Sequence, residues 1–259
     1  LAAHDLLPHE ALVELARRTP PVDAEYARGH VPVGLDPDDA RPNGLSVEET
    51  IRQIEHCGSW MVLKFVEQDP PYRDLLSDIL AGLEPVVAPP TGAMLKREAF
   101  VFISSPDAVT PFHFDPEHNI LLQIRGRKTM TVFPAGDERL AAGEAHEAFH
   151  DGGHRNLPWS DEFAALGRPF ELRPGEAVYV PVKAPHWVRN GPEVSISFSI
   201  TWRSEWSYRE QYARRMNALL RKAGLRPASP RRFPHQNRLK SLGYRAIDKA
   251  RRLTGLGAP

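Results

Sequence analysis

A histidine and an aspartate two residues apart are the first side chains of this sequence that could do chemistry. His113 and Asp115 lie in the run TPFHFD. On a β-strand, residues two apart point to the same face, so an imidazole and a carboxylate would converge on one point. Such a pair occurs often by chance and carries little weight alone. The surrounding sequence must decide whether it belongs to a metal site.

A second histidine would complete a site of two histidines and one carboxylate. His186 is the best candidate, because it follows a strand that ends at Pro181 and precedes the strand-like run VSISFSITW. A triad of this composition leaves open coordination positions and is typical of non-haem iron(II) oxygenases. On spacing alone, His186 could equally be an ordinary core or surface histidine that follows a strand.

The elements that must position these residues change character near residue 98. Before it, the patterns predict helices over 5–18, 46–57 and 71–83, a loop over 19–44, and an end to the helical region at Pro85, Pro89, Pro90 and Gly92. After it, short runs rich in β-branched and aromatic residues indicate antiparallel strands of a sandwich or barrel. Helical character returns over 205–222 and 236–253.

A long, His-rich insertion over 136–169 interrupts the strands and contains a second apparent metal site. His146, His150 and His154 are spaced four apart, as on one face of a helix. Gly152 and Gly153 interrupt any helix before His154, so we expect an insertion that covers the barrel mouth instead. Its candidate substrate contacts are His154, Arg155, Asn156 and Trp159.

Two longer motifs surround the candidate ligands. The nineteen residues TPFHFDPEHNILLQIRGRK, from Thr110 to Lys128, fit the pattern TPxHxDxxxNxxxQIxGxK. The run GEAVYVPVKAPHWVRN, from Gly175 to Asn190, is similar to the second cupin motif, with Lys183 where glycine is usual. Together they resemble the Jumonji-C-like branch of the cupin superfamily, in particular the group of the asparaginyl hydroxylase that inhibits hypoxia-inducible factor and its bacterial relatives.

The resemblance, which covers about residues 98–202, implies a double-stranded β-helix, or jelly roll. The expected fold is therefore mainly β with flanking helices. Residues 1–97 are expected to form a helical and loop region that packs on the barrel, residues 98–204 the catalytic core, and residues 205–259 a basic helical region.

The resemblance also implies iron(II) and 2-oxoglutarate as cofactors, and roles for five further residues. Thr110 and Lys128 match the residues that bind the distal carboxylate of 2-oxoglutarate. Asn119 matches a residue that lines the site, and Gln123 shares its face of the strand. Ser199 lies near the position of an asparagine beside the metal.

Two points of this cofactor site stay open in the sequence. A buried lysine ammonium would be costly without an anion, which favours Lys128 as the anchor. Lys128 could instead point outward, and Arg125 or Arg127 could replace it if the strand register slips by one. The family also has an upstream tyrosine on 2-oxoglutarate; no residue of this sequence is assigned to that position, and Trp60 and Tyr72 are open candidates.

These features predict an iron(II)- and 2-oxoglutarate-dependent hydroxylase that acts on a protein or peptide side chain or on a small metabolite. The alternative is a non-catalytic, cupin-type sensor or regulatory protein that binds a metal or another ligand. A complete triad together with Thr110 and Lys128 favours the enzyme, since a non-catalytic descendant is expected to lose one of them.

Charge is unevenly spread along a chain whose net charge is zero. Residues 203–259 carry 15 Lys and Arg against 3 Asp and Glu, whereas the rest of the chain carries 18 against 30. This predicts a C-terminal region that docks on the acidic body or forms a homodimer through its helices. Nucleic-acid binding is disfavoured, because no nucleic-acid motif is visible.

Cysteine content and hydropathy bear on the compartment. Cys57 is the only cysteine, which fits a reducing compartment and so a cytoplasmic location. No apolar run approaches the length of a membrane span, so no membrane association is expected.

Overall fold

The computed structural model describes residues 6–232 and 235–254, which form two antiparallel sheets. The strands are β1 (Ala24–Arg28), β2 (Ser59–Lys64), β3 (Leu95–Ser104), β4 (Val109–His113), β5 (His118–Arg125), β6 (Lys128–Val132), β7 (Arg168–Leu172), β8 (Ala177–Val180), β9 (His186–Asn190) and β10 (Ser195–Arg203). One sheet has the order β1-β2-β3-β10-β5-β8 and the other β4-β9-β6-β7. The predicted mainly β, jelly-roll fold is confirmed.

Helices flank the sheets at both ends of the chain, and one more lies in the insertion between β6 and β7. They are α1 (His9–Arg18), α2 (Val47–Arg52), α3 (Pro70–Thr91), α4 (Gly143–His150), α5 (Glu205–Lys222) and α6 (Arg238–Leu253). Ser46 and Glu49 form the predicted capping box at the start of α2. Residue 5, where the first helix was predicted to begin, lies outside the described residues.

Strand β10 has one apolar face, which packs in the core, and one polar face, which bonds to side chains of β5. It lies between β3 and β5, and all its residues are buried. Its large residues, such as Phe198 and Trp202, belong to the core shared with the N-terminal helices. The alternating residues Ser197 and Ser199 bond to polar side chains of β5. Because side chains alternate along a strand, small hydroxyl residues occupy one face and leave room there.

The N-terminal region contributes strands as well as helices, which corrects the prediction of helices and loops over 1–97. Residues 24–28, within the predicted loop, form β1, which pairs with β2, and β2 pairs with β3. This pairing joins segments that are distant in the sequence, so local composition does not show it. The boundary at residue 98 stays a prediction.

Helix α3 is longer than predicted. It continues to Thr91 with Pro85, Pro89 and Pro90 inside it, and Gly92 ends it with a positive φ. Proline removes a backbone donor within a helix and disfavours it. Within the extension, Val87 packs against the core and Thr91 is buried, so tertiary packing accompanies a helix that the local sequence disfavours.

The basic C-terminal region packs on the body through ion pairs. Arg221 of α5 pairs with Glu144 and Glu147 of α4, and Lys222 pairs with Asp151. Helix α6 packs on α5, where the rings of Tyr212 and Tyr244 stack. Formation of a homodimer through these helices stays a prediction. Within residues 6–232 and 235–254, no helix has the length and apolarity that crossing a membrane requires.

Candidate metal centre

The three candidate ligands converge at one end of two neighbouring strands. His113 ends β4 and lies opposite His186, the first residue of β9, in the antiparallel register. Asp115 follows two residues after His113, beyond the end of the strand. One potential ligand atom from each of the three residues lies within 4.8 Å of the others. Among the described residues, this is the only group of three such side chains.

A β-bulge in β4 brings Thr110 to the same side as His113. Thr110 pairs with Val188 and His113 pairs with His186, so β4 uses one residue more than β9 over this stretch. Without that extra residue, positions three apart would point to opposite faces. Thr110 and His113 both line one cavity, whereas Phe112 between them is buried in a separate aromatic cluster.

Backbone carbonyls fix the orientation of both imidazoles. Nδ1 of His113 lies 2.7 Å from the carbonyl oxygen of Pro111, and Nδ1 of His186 lies 3.0 Å from that of Ala184. A carbonyl only accepts hydrogen bonds, so each Nδ1 carries the proton. The lone pair of each Nε2 is therefore free to bind a metal, which is the usual arrangement of metal-binding histidines.

Charge at the centre suits a divalent cation. Burial alone would raise the pKa of the Asp115 carboxyl, but His113, Arg155 and His186 together hold it below its ordinary value. Burial, with His186 alongside, lowers the pKa of His113 well below its ordinary value. The carboxylate is thus ionised and the His113 imidazole neutral, as metal ligands must be. This donor set fits iron(II) bound by a facial triad.

Arg155 holds the carboxylate of Asp115 from the mouth of the site. Its Nη1 donates to Oδ1 of Asp115 at 3.0 Å, while Oδ2 lies 3.5 Å from Nε2 of His186. The residues after Arg155 pair with the end of β4, since His113 forms a bridge with Asn156. The insertion therefore acts as a short extra strand beside the ligands.

A cavity of about 270 Å³ opens onto the three ligands. Lys128 and Thr110 lie on the same sheet, and both line this cavity. Lys128 is 5% exposed. Burial lowers the pKa of Lys128 to about 7, and no neighbouring carboxylate among the described residues offsets that burial. Further walls come from Glu25, Ala27, Trp60, Val62, Phe102 and Leu121.

Comparison with known protein families shows which family this chain belongs to. Residues 73–208 match the family model of the cupin-like domain, which is just over half of the 259-residue chain. The chain belongs to the cupin-like domain family. The match spans β3 to β10 and all three candidate ligands.

Two curated relatives are Jumonji proteins. The chain is 30% identical over 105 residues to the lysine-specific demethylase JMJ30 of Arabidopsis thaliana, covering 38% of this chain and 24% of that protein. It is 33% identical over 98 residues to the Jumonji C domain-containing protein 5 of Drosophila melanogaster, covering 35% and 24%. The matched region thus spans about a quarter of the length of these relatives.

Among solved structures, E. coli ycfD shares the fold over almost the whole chain. The TM-score is 0.51 at 17% sequence identity, covering 99% of this chain and 62% of that one. Similarity at this identity shows the fold alone. It extends to both terminal regions of this cupin-like protein, which the family model does not cover.

Four of the five further predicted residues lie in the cavity or directly behind it. Thr110, Lys128 and Asn119 line the cavity. Ser199 lies behind it, where its hydroxyl donates to Oδ1 of Asn119 at 2.8 Å. Ser199 therefore orients Asn119 in this structure and is not itself part of the cavity wall.

Gln123 does not reach the cavity, which corrects its predicted role. It shares a face of β5 with Asn119, but it lies further along the strand, near the β5–β6 turn. Its amide donates to the carbonyls of Arg125 and Gly126 and to the hydroxyl of Ser195, and its carbonyl accepts from another serine of β10. Every polar atom of the side chain is used within the fold.

The Gln123→Met variant tests this structural role. It leaves buried donors and acceptors without partners, so we expect the free energy of unfolding to fall by about 1–3 kcal/mol, measured in urea. The exposed Gln68→Met is the matched control and is expected to unfold like the wild type. Affinity for 2-oxoglutarate is expected to stay unchanged. A large loss of that affinity in folded Gln123→Met would return Gln123 to the site.

The insertion over 136–169 contributes further residues to the cavity. His154, Arg155 and Asn156 line the cavity, as predicted for the insertion, but Trp159 packs on Phe112 outside it. His146 and His150 are buried on α4, apart from the exposed His154, so they form no three-histidine site with it.

Only one of the two upstream aromatic candidates lies at the site. Trp60 of β2 lines the cavity, whereas Tyr72 is buried in the helical core and donates to the carbonyl of Leu6 at 2.6 Å. The contact of Arg155 with Asp115 was missed in the sequence. No periodic spacing links the two residues, because Arg155 reaches the site from the insertion.

Proposed function

We propose that this protein is an iron(II)- and 2-oxoglutarate-dependent oxygenase that hydroxylates its substrate. The observation that carries the proposal is a buried lysine, Lys128, that shares a cavity with the triad of His113, Asp115 and His186. A buried ammonium without a carboxylate partner is costly, and an anionic cosubstrate would offset that cost. The membership of the cupin-like domain family and the Jumonji relatives support this assignment.

Each residue of the cavity has a role in this proposal. His113, Asp115 and His186 would hold iron(II), which when bound supplies dioxygen activation coupled to oxidative decarboxylation of the keto acid. Lys128 and the hydroxyl of Thr110 bind the distal carboxylate of the cosubstrate. This contact fixes the end of a flexible dianion, and so sets the position of its keto-acid end.

The surroundings of the ligands orient them and restrict water. Arg155 keeps one oxygen of Asp115 engaged, so that the other faces the histidines. Apolar walls from Val62, Phe102 and Leu121 limit the water within the cavity. A cavity with few water molecules strengthens the ion pair expected at Lys128.

A protein or peptide side chain is the first substrate class that we propose, and a small metabolite is the second. The rim of the cavity includes the exposed residues His154 and Arg155 together with Asn156. Exposed polar residues on an insertion beside a rigid barrel are a common place for substrate contacts. The second candidate function, a non-catalytic sensor, uses the same cavity without turnover.

An anaerobic titration tests the cofactor assignment. Iron(II) and 2-oxoglutarate together are expected to give a weak visible absorption band that neither gives alone. Succinate, which lacks the keto group, is the matched control and is expected to give no band. If correctly folded, iron-loaded protein shows no band with 2-oxoglutarate, the cosubstrate assignment is wrong.

Admission of air then separates the enzyme from the sensor. With ascorbate present as the reductant that converts the remaining oxygen atom to water, the enzyme is expected to convert 2-oxoglutarate and dioxygen slowly into succinate, carbon dioxide and water, even without its substrate. A sensor would bind both ligands and form no succinate above the protein-free rate. That result, obtained with a normal absorption band, would favour the second candidate function.

A further inference from the structure

The turn between β8 and β9 contains a buried lysine in a backbone conformation that favours glycine. Lys183 has a φ of 61°, and it is 4% exposed. The left-handed conformation costs free energy for a residue with a Cβ, and burial of an ammonium adds to that cost. The contacts of Lys183 must offset both.

The backbone of this turn contacts two of the three proposed ligands. The N–H of Lys183 donates to the carbonyl oxygen of Asp115 at 2.8 Å. The carbonyl oxygen of the next residue, Ala184, accepts from Nδ1 of His186 at 3.0 Å. A shift of the turn would therefore move Asp115 and His186 relative to each other.

The side chain of Lys183 contacts the loop that carries the ligands. Its Nζ lies 4.4 Å from the ring centroid of Phe114, which stands between His113 and Asp115 in the sequence. The ring of Phe149 in α4 lies at 4.8 Å. The faces of aromatic rings attract a cation, more strongly where water is excluded. Lys183 is thus bound to this loop through both its backbone and its ammonium.

Helices α4 and α5 enclose the ammonium on its other side. Nζ of Lys183 lies 3.1 Å from Nε2 of His150. Burial lowers the pKa of His150 to about 4, so the ring is neutral near pH 7 and its Nε2 accepts this bond. Oε2 of Glu210 lies 3.9 Å from Nε2 of His150, and Oε1 of Glu210 accepts a hydrogen bond from Arg214. The insertion and the C-terminal region thereby hold Lys183 in place.

We infer that Lys183 is a positioning residue for the metal centre, which fixes Asp115 relative to His186 and is anchored by α4 and α5. The inference rests on the proposed function, because it requires His113, Asp115 and His186 to bind a metal. Lys183 does not line the cavity of the metal centre. Substitution of residues that orient metal ligands without touching the metal commonly lowers metal affinity by about 10–100-fold.

The test measures Co²⁺ affinity of the metal-free full chain by visible absorption, with Lys183→Gly and Lys183→Met. Glycine suits the backbone of the turn and keeps its N–H, and methionine keeps most of the side-chain volume. Both variants are expected to bind Co²⁺ about 10–100-fold more weakly and with an altered spectrum. Lys249→Met, at an exposed lysine of α6, is the control and is expected to bind like the wild type.

Melting temperatures without metal separate positioning from stability. A purely structural lysine would lower the melting temperature and leave the Co²⁺ dissociation constant and spectrum unchanged. Wild-type affinity and spectrum in Lys183→Gly would overturn the inference while the proposed metal site stands. If the wild type itself bound no Co²⁺, the proposed metal site would fail and the inference with it.

Discussion

Replacement of Asp115 by alanine is expected to lower 2-oxoglutarate turnover by a factor on the order of 10³ or more. The carboxylate is one of three proposed ligands, and a catalytic metal commonly contributes several kcal/mol to the transition state. His113 and His186 would remain as two imidazole ligands, which hold a divalent cation weakly. The measurement is succinate formation at saturating iron(II) and 2-oxoglutarate, together with the iron content of the protein.

The Asp115→Ala variant is expected to stay folded. The partner of Asp115, Arg155, has a side chain that is 44% exposed, so its guanidinium can return to water when the carboxylate is removed. The exposed Asp78→Ala on α3 is the matched control, with turnover expected at the wild-type rate. Substantial turnover in Asp115→Ala would show that the triad is assigned wrongly.

Replacement of Lys128 by methionine is expected to raise the 2-oxoglutarate requirement about 100-fold or more, with iron binding intact. Truncation of one partner of a buried charge pair costs about 2–5 kcal/mol, because the other charge is left unpaired. The KM for 2-oxoglutarate and the dissociation constant for Co²⁺ are to be measured in parallel. The exposed Lys249→Met is the control, and a KM for Lys128→Met equal to that of the wild type would contradict the proposed anchor.

The same variant has an expected stability effect with a defined pH dependence. The folded protein without cosubstrate holds the pKa of Lys128 near 7, below its ordinary value of 10.5. Between these values the unfolded chain binds the proton and the folded chain releases it, so stability rises with pH there. Below about pH 7 the burial penalty is complete. Lys128→Met is therefore expected to be more stable than the wild type at pH 7, with a smaller advantage at pH 9.5.

Several parts of the fold and site follow from local sequence patterns. The run VSISFSITW predicts a strand, and β10 is that strand. The two-residue spacing of His113 and Asp115 predicts their convergence, which the structure also has. Both predictions depend on short patterns of neighbouring residues, which a sequence displays directly, although Asp115 lies just beyond the end of β4.

Other parts depend on contacts between distant segments. Strand β1 exists because it pairs with β2, and α3 continues past Pro85, where Val87 packs against the core and Thr91 is buried. The bulge between Thr110 and His113 is visible only in the register of β4 against β9. A strict alternation would have placed Thr110 outside the site, so the resemblance predicted its place better than spacing alone would have.

Gln123 shows a limit of reasoning from a shared strand face. The period of two places it beside Asn119, and this part holds in β5. Distance along the strand then decides which residues reach a cavity of finite size, and the sequence does not give that size. The glutamine instead satisfies the donors and acceptors of a neighbouring turn.

His113 and His186 are paired on neighbouring strands, so the distance between them does not depend on the length of the chain that connects them. Backbone hydrogen bonds between neighbouring strands set their distance, whereas the intervening segment only has to return to the barrel. The entropy of closing a loop grows slowly with its length, so insertions near Gly152 cost little stability. The insertion, in which we propose the substrate contacts, can therefore change in length and sequence while the ligand positions persist. In this architecture, new specificity can evolve without rebuilding the metal site.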